Sequence, residues 1–300
     1  MPEYESFDDF SQLVLSYFDD KSTLQTAYDL LTEAAPRFPE QEALIYNWRF
    51  CAAAMMNKTD LALQLIQESL DAGFFWSTAY LTSDEDLKSL YNLPEFKRLT
   101  EVSEERYREA RKNSKPLSLS LPLPEDAEPP LPLLLILHGN KSNAQCAAKS
   151  WKSAVREGWH TVLLQSSQIV SPFSFVWDDL ELGAQDIKAS YEQLIPSDAP
   201  ETGPVVVGGF SKGGEMAIWL TLKEIIPLDG FIVVNPGGPY IQNVDRLLPL
   251  LEECKSLNRL RGWLVTGETD LNHNKVKTLH QMFNSHGLNC ELITPPRYRS

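Results

Sequence analysis

The sequence has little that would tie it to nucleic acid, a metal or a membrane. Basic residues are in deficit: 27 Lys and Arg stand against 41 Asp and Glu, a formal net charge of −14 at pH 7. A nucleic acid or an anionic membrane surface needs a basic face, so neither is expected as partner, and the surplus acid reads as solvated surface. Cysteine is scarce. Cys51, Cys146, Cys254 and Cys290 lie far apart, form no CxxC pair and have no histidine nearby at ligand spacing. That excludes a zinc knuckle or a disulfide framework and leaves four reduced thiols. Long apolar runs are missing too: LPLLLIL, residues 131–137, is far below the length of about 20 residues that spans a bilayer. The opening MPEYESFDDF is acidic and has no signal-peptide pattern. A soluble, cytoplasmic protein without a membrane span is expected.

What is present divides in two. From about residue 7 to residue 111 there are few prolines, no β-branched runs, and apolar residues three and four apart, which predicts helices. Two near-repeats, AYDLLTEAAPRF from Ala27 and ALQLIQESLDAGF from Ala62, are 35 residues apart, each preceded by a candidate helix. This spacing suits stacked helical hairpins, neither of which buries its apolar face alone. The pattern resembles tetratricopeptide-like repeats, which implies a protein or peptide partner for residues 1–112. GFFW at 73–76 is read as a contact to the second half rather than as helical core.

Between Lys112 and Pro132 six prolines and the alternation LSLSLPLP, with the turn-like PEDAEPP, predict an edge strand opening a second domain over 113–300. From there, continuous apolar segments such as LPLLLILHG, HTVLLQ, GPVVVGGF, GFIVVNP, RGWLVTG and NCELIT alternate with amphipathic segments, one capped by Ser142 or Asn143. The fold class is therefore α/β: a mainly parallel sheet with helices on both faces, its ligands at the carboxyl ends of the strands, preceded by an all-α helical-repeat domain.

Three motifs fall at those ends. Gly209, Phe210, Ser211, Lys212 and Gly213 spell G-x-S-x-G between a strand and a helix. A serine on so sharp a turn is thrust into the open, and small residues two before and two after let strand and helix approach. In LILHGN, Gly139 follows a buried strand, so the backbone N–H groups of Asn140 and Lys212 are the candidate oxyanion donors, and His138 is read as structural. In LVTGETD, Asp270 is the candidate acid and Glu268 its reserve; both acids are equally well read as solvating a loop or capping the next helix.

LHGN, GGFSKGG and TGETD, in this order, resemble the α/β-hydrolase superfamily, in particular its carboxylesterase, lysophospholipase and dienelactone-hydrolase branch. The resemblance covers about residues 116–294. It implies a serine hydrolase acting on a small-molecule carboxylic ester or thioester through an acyl-serine, with no metal or organic cofactor. It makes Ser211 the nucleophile, Asn140 and Lys212 the oxyanion donors and Asp270 the acid. The chain departs from the family pattern where CELIT leads into PPRYRS, with no histidine after His286 and no closing helix. Three expectations compete: a shortened end, a substitute base, for which His273 is the one candidate on the same rim, or a catalytically impaired fold serving as a binding module. A peptidase of the same fold is a third functional option. For the substrate pocket, the loop SSQIVSPFSFVWDDLE offers Phe173, Phe175 and Trp177, and NPGGPYIQ offers Tyr240.

Overall fold

The structure, a computed structural model, describes residues 7–125, 127, 130–195 and 203–295. The expectation for the segment after the last strand falls on residues 296–300, outside the described residues, and the turn at 124–130 lies partly outside them. The chain divides into two compact units, Met1–Asn113 with Val170–Pro172, and Ser114–Ile169 with Phe173–Ser300.

In the first unit, helices α1 (Phe7–Ser16), α2 (Leu24–Ala34), α3 (Glu42–Met55), α4 (Thr59–Asp71), α5 (Thr78–Thr82) and α6 (Pro94–Asn113) succeed one another. The two near-repeats fall on α2 and α4. In α2 the buried residues Leu24, Ala27, Leu31 and Ala34 recur at the spacing of one helix face. Helix α3 packs against both α2 and α4, and its buried run Ala52–Ala53–Ala54 lets neighbours approach on more than one side. Trp76 meets Phe50 edge-on, ring centroids 5.3 Å apart, and the Ser103 hydroxyl accepts from its N–H and donates to its carbonyl, at 2.7 and 2.8 Å. Within GFFW, Trp76 thus belongs to the core of the helical unit, with Phe74 packed against that core. The reason is that an indole of this size buries its area best where a polar partner completes its backbone.

After Asn113 the chain forms β1 (Leu117–Ser120), β2 (Leu133–Leu137), α7 (Ala144–Trp151), α8 (Ser153–Arg156), β3 (His160–Gln165), β4 (Ile169–Ser171), β5 (Ser174–Phe175), α9 (Leu180–Leu194), β6 (Val205–Phe210), α10 (Lys212–Leu222), β7 (Gly230–Val234), α11 (Pro239–Gln242), α12 (Leu248–Glu253), β8 (Arg261–Val265), α13 (His273–Ser285) and β9 (Asn289–Ile293), all in the second unit but for the Val170–Ser171 part of β4. Seven strands form one sheet in the order β1-β3-β2-β6-β7-β8-β9. Only the edge strand β1 is antiparallel, pairing Leu117 with Gln165 through Ser120 with Val162; the others are parallel. Both faces of the central strands are apolar. Leu135, Val207, Phe231, Val233 and Leu264 join one core with residues of α10 and α13. Leu134, Ile136, Leu163 and Val206 join a second with Ala144 and Trp151 of α7. This is the α/β-hydrolase arrangement, and the continuous apolar strands are its cause: a strand buried on both faces needs no polar alternation.

Three segments differ from their sequence reading: SNAQCAAKSWKSAVREG, read as one helix, is divided into α7 and α8. The segment NVDRLLPLLEECKSL at 243–257, read as one helix, forms a 3₁₀ turn over Val244–Leu247 and then α12, which ends at Glu253. Pro249 lies in the first turn of α12, where its missing N–H costs nothing, so the helix restarts there. The loop at 166–181 contains the strand pair β4 and β5, whose brevity hid it.

Candidate active site

Ser211 joins the central strand β6 to α10 with φ 53° and ψ −119°. A positive φ in a residue other than glycine stores roughly 1–3 kcal/mol, and four backbone hydrogen bonds hold it. The Ser211 N–H donates to Val234 O at 3.1 Å, and Ser211 O accepts from Gly214, Glu215 and Gly237 at 3.0, 3.2 and 3.0 Å. The small residues around it are sterically required. A Cβ at Gly209 would lie 2.5 Å from the Gly213 carbonyl, and one at Gly213 would lie 2.4 Å from both Leu137 O and His138 O. The G-x-S-x-G spacing is thus a packing condition, with β2 as well as β6 pressed on the first turn of α10.

The Ser211 side chain is half-buried, and its hydroxyl has no hydrogen-bond partner among the described residues. It opens on a cleft of about 640 Å³ that Gly139, Asn140, Cys146, Trp151, Phe210 and Ile232 help to line. Lys212 is the first residue of α10, so its N–H is one of the helix-end donors without an intrahelical acceptor. Gly139 abuts the turn, its Cβ position 3.2 Å from the Phe210 ring, which places the Asn140 backbone on the other wall of the same cleft. Asn140 and Ser211 thus line one cleft, and Lys212 follows Ser211 as the first residue of α10.

His138 is structural. It is 0% exposed; its Nδ1–H donates to Gly139 O at 2.8 Å and its Nε2 accepts from the Ser166 N–H at 3.4 Å. Its ring lies 4.9 Å from that of Trp177. Burial pushes the imidazole down to about 4, only partly opposed by the Gly139 carbonyl. A folded pKa below the unfolded value of 6.5 means the unfolded chain binds the extra proton in between. The contribution is present above pH 6.5 and is lost as pH falls toward 4, by about 3 kcal/mol. Urea midpoints measured from pH 7 to pH 4 should fall through this window, and His138→Gln should flatten the fall.

The acid loop reaches the site indirectly. Asp270 Oδ1 accepts from the Asn272 N–H at 2.8 Å, so this carboxylate braces the turn that opens α13, while Glu268 is exposed. Asn272, which no sequence motif singled out, is the residue the loop presents. A Cβ at Gly237 would stand 3.2 Å from Asn272 Nδ2 and 3.6 Å from Ser211 Oγ; Asn272 also donates to Pro236 O at 3.3 Å and accepts from Gln242 at 2.8 Å. The N-P-G-G loop lying between two motifs was the available signal. His273 begins α13, and its Nδ1 is buried without a hydrogen-bond partner. His280 and His286 bond to Cys290 O and Met282 O, at 3.1 and 2.8 Å. Among the described residues, which include all five histidines, none is hydrogen-bonded to Ser211 or to the Asp270 carboxylate.

The expected aromatic pocket is corrected. Trp177 is 0% exposed and spends its indole N–H on His138 O at 3.0 Å, so it supports the floor of the Gly139 turn. Phe175 sits beside the His138 ring, and Phe173, 59% exposed, is at the tip of the β4–β5 hairpin with positive φ. Tyr240 stacks under the Arg246 guanidinium, 4.3 Å from its ring centroid, in a different hollow that it shares with Lys212 and Asp178. The apolar lining of the Ser211 cleft comes instead from Trp151, Phe210, Ile232 and Val234. A sequence-adjacent aromatic loop was a poor guide, because its side chains satisfy the core first.

No disulfide joins the four cysteines, and burial pushes the Cys290 thiol up to about 12. No helix among the described residues is long and apolar enough to cross a membrane.

Known proteins share parts of this geometry. Residues 10–111 match a family described as "A/B hydrolase-like, N-terminal domain". The helical unit is thus similar to one named for the hydrolase domain it accompanies. No curated protein matches the chain. Among solved structures, an uncharacterized protein from Bacillus cereus ATCC 10987 is 26% identical over 98% of this chain and 92% of its own, with a TM-score of 0.49. Acyl-protein thioesterase 2 of Zea mays is 14% identical over 61% of this chain and 90% of its own, at 0.44. Est1E from Butyrivibrio proteoclasticus, with ferulic acid bound, is 14% identical over 60% and 85%, at 0.46.

Proposed function

We propose that the second unit is a serine hydrolase of small carboxylic esters or thioesters, with Ser211 as nucleophile. The observation that carries this reading is the strained Ser211 turn, which lines one cleft together with Gly139 and Asn140. Ser211 Oγ attacks the carbonyl carbon and loses its proton to a base. The N–H groups of Asn140 and Lys212 receive the oxyanion, and collapse of the tetrahedral adduct releases the alcohol or thiol, which takes up a proton. Water then hydrolyses the acyl-serine to the acid. Asp270 is the candidate acid, with Oδ1 engaged by Asn272. His273, whose buried Nδ1 is unpartnered, is the candidate base. The apolar lining by Trp151, Phe210, Ile232 and Val234 suits a hydrophobic acyl or aryl group.

A fluorophosphonate reagent tests this, since it traps an activated serine as a phosphonyl ester. Mass spectrometry of the digested protein should place one adduct on the peptide bearing Ser211. Absence of any adduct would sink the hydrolase reading. It would favour a second one, which rests on the lack of a histidine bonded to Ser211: a hydrolase-fold binding module, with the tetratricopeptide-like stacked helices of the first unit taking a peptide partner.

A further inference from the structure

We propose that Glu215 is a positioning residue for the Ser211 site, fastening the Asn235–Tyr240 loop to the nucleophile turn. Glu215 is 1% exposed and Lys212 7%, and the Lys212 ammonium donates to Glu215 Oε2. Burying two charges costs several kcal/mol per ion unless both are well bonded, so a pair placed one helical turn from the nucleophile requires a role. Its other oxygen supplies one: Oε1 accepts from the Tyr240 N–H at 2.5 Å. The loop lies directly on this carboxylate. Gly238 has φ +143°, and a Cβ there would stand 2.2 Å from Glu215 Oε2, so only glycine permits the contact. The preceding residue forms the wall beside the nucleophile. Gly237 donates to Ser211 O at 3.0 Å, with Ser211 Oγ and Asn272 Nδ2 both within 4 Å of its Cβ position. Pro236 O in turn accepts from Asn272, and the Asn235 side chain accepts from the Gly267 N–H at 3.1 Å. Glu215 therefore ties the turn, the wall and the acid loop into one unit without itself lining the cleft. Its effect on rate is indirect, through the placement of Gly237 and Asn272 against Ser211.

The kinetic half of this inference rests on the hydrolase reading; the structural half does not. Because a single change would leave the partner charge buried alone, the test compares two double variants, Lys212→Met with Glu215→Gln and Lys212→Met with Glu215→Leu. Both remove the ion pair, but only glutamine keeps an acceptor for Tyr240. With p-nitrophenyl butyrate, the leucine variant is expected to have a kcat on the order of 100-fold below that of the glutamine variant, with KM changed far less. Amide hydrogen exchange over residues 236–242 should be about tenfold faster in the leucine variant, with α9 unchanged as internal reference. Equal kcat and equal exchange in two folded variants would overturn the proposal. If the unaltered protein shows no turnover, the hydrolase reading fails, and the exchange comparison alone decides whether Glu215 holds the loop.

Discussion

Ser211→Ala is expected to abolish hydrolysis of p-nitrophenyl butyrate while leaving thermal stability unchanged. Loss of a serine nucleophile from a working site costs up to about 10⁶ in kcat, and the oxyanion donors and binding alone leave roughly 10³–10⁴ over water. The starting rate is informative in itself. With no histidine bonded to Ser211 among the described residues, a low rate that still vanishes with the hydroxyl would direct the search for a base to His273. Alanine shares the constraint on φ, so the stored strain at 53° remains and melting should not move. Ser211→Gly should be equally inactive and yet more stable, by about 1–2 kcal/mol, since glycine adopts this conformation freely. Inactivity accompanied by unchanged or raised stability separates chemistry from folding. Loss of activity with a collapse in melting temperature, or full activity in Ser211→Ala, would contradict the assignment.

Gly213→Ala is expected to have the largest effect on stability. A methyl group there would lie 2.4 Å from the carbonyl oxygens of Leu137 and His138. Both are backbone atoms of β2 and its exit, which cannot rotate aside as a side chain would. Such overpacking costs about 3 kcal/mol, a drop of roughly 6–12 °C in melting temperature for a unit of this size. The direction of the displacement matters as much as its cost. To admit the methyl group, α10 must move from the His138–Gly139 turn, which separates the Lys212 and Asn140 N–H groups, and a shift near 1 Å in such a pair costs on the order of 100-fold in rate. Gly267→Ala is the control, because its Cβ would meet nothing within 4 Å; calorimetry and kinetics should leave it close to the parent. Equal melting of the two variants would show that α10 is free to yield, and that the tight spacing of the motif is not a packing condition.

The alternation of apolar and amphipathic segments from Leu133 to Ile293 made the sheet and its helices legible, because strands buried on both faces carry the pattern in their own residues. The same holds for the serine turn, where Gly209 and Gly213 record in sequence the close approach of two backbones. Legibility failed where a residue's role depends on what the chain brings from far away. Trp177 and Tyr240 looked available as pocket residues because they come after strands, yet one spends its N–H on His138 O and the other lies under Arg246. Asp270 carried a carboxylate to the right rim, but its Oδ1 serves the Asn272 amide. Asn272 has no motif, and its place beside Gly237 comes from contacts between the loops after β7 and β8.

From residues alone, then, came the α/β class, the edge strand at Leu117–Ser120, the turn at Ser211 and the structural part of His138, since each depends on local pattern or on backbone crowding within a few residues. The lining of the cleft by Trp151 and Ile232, the fastening of the Tyr240 amide to Glu215 and the pairing of His138 Nε2 with the Ser166 N–H and of His280 with Cys290 O were decided by tertiary structure alone. These are mostly pairings between segments distant in the chain, and which side chain reaches a given point is settled by how sheet and helices pack, not by the chemical type of the residue.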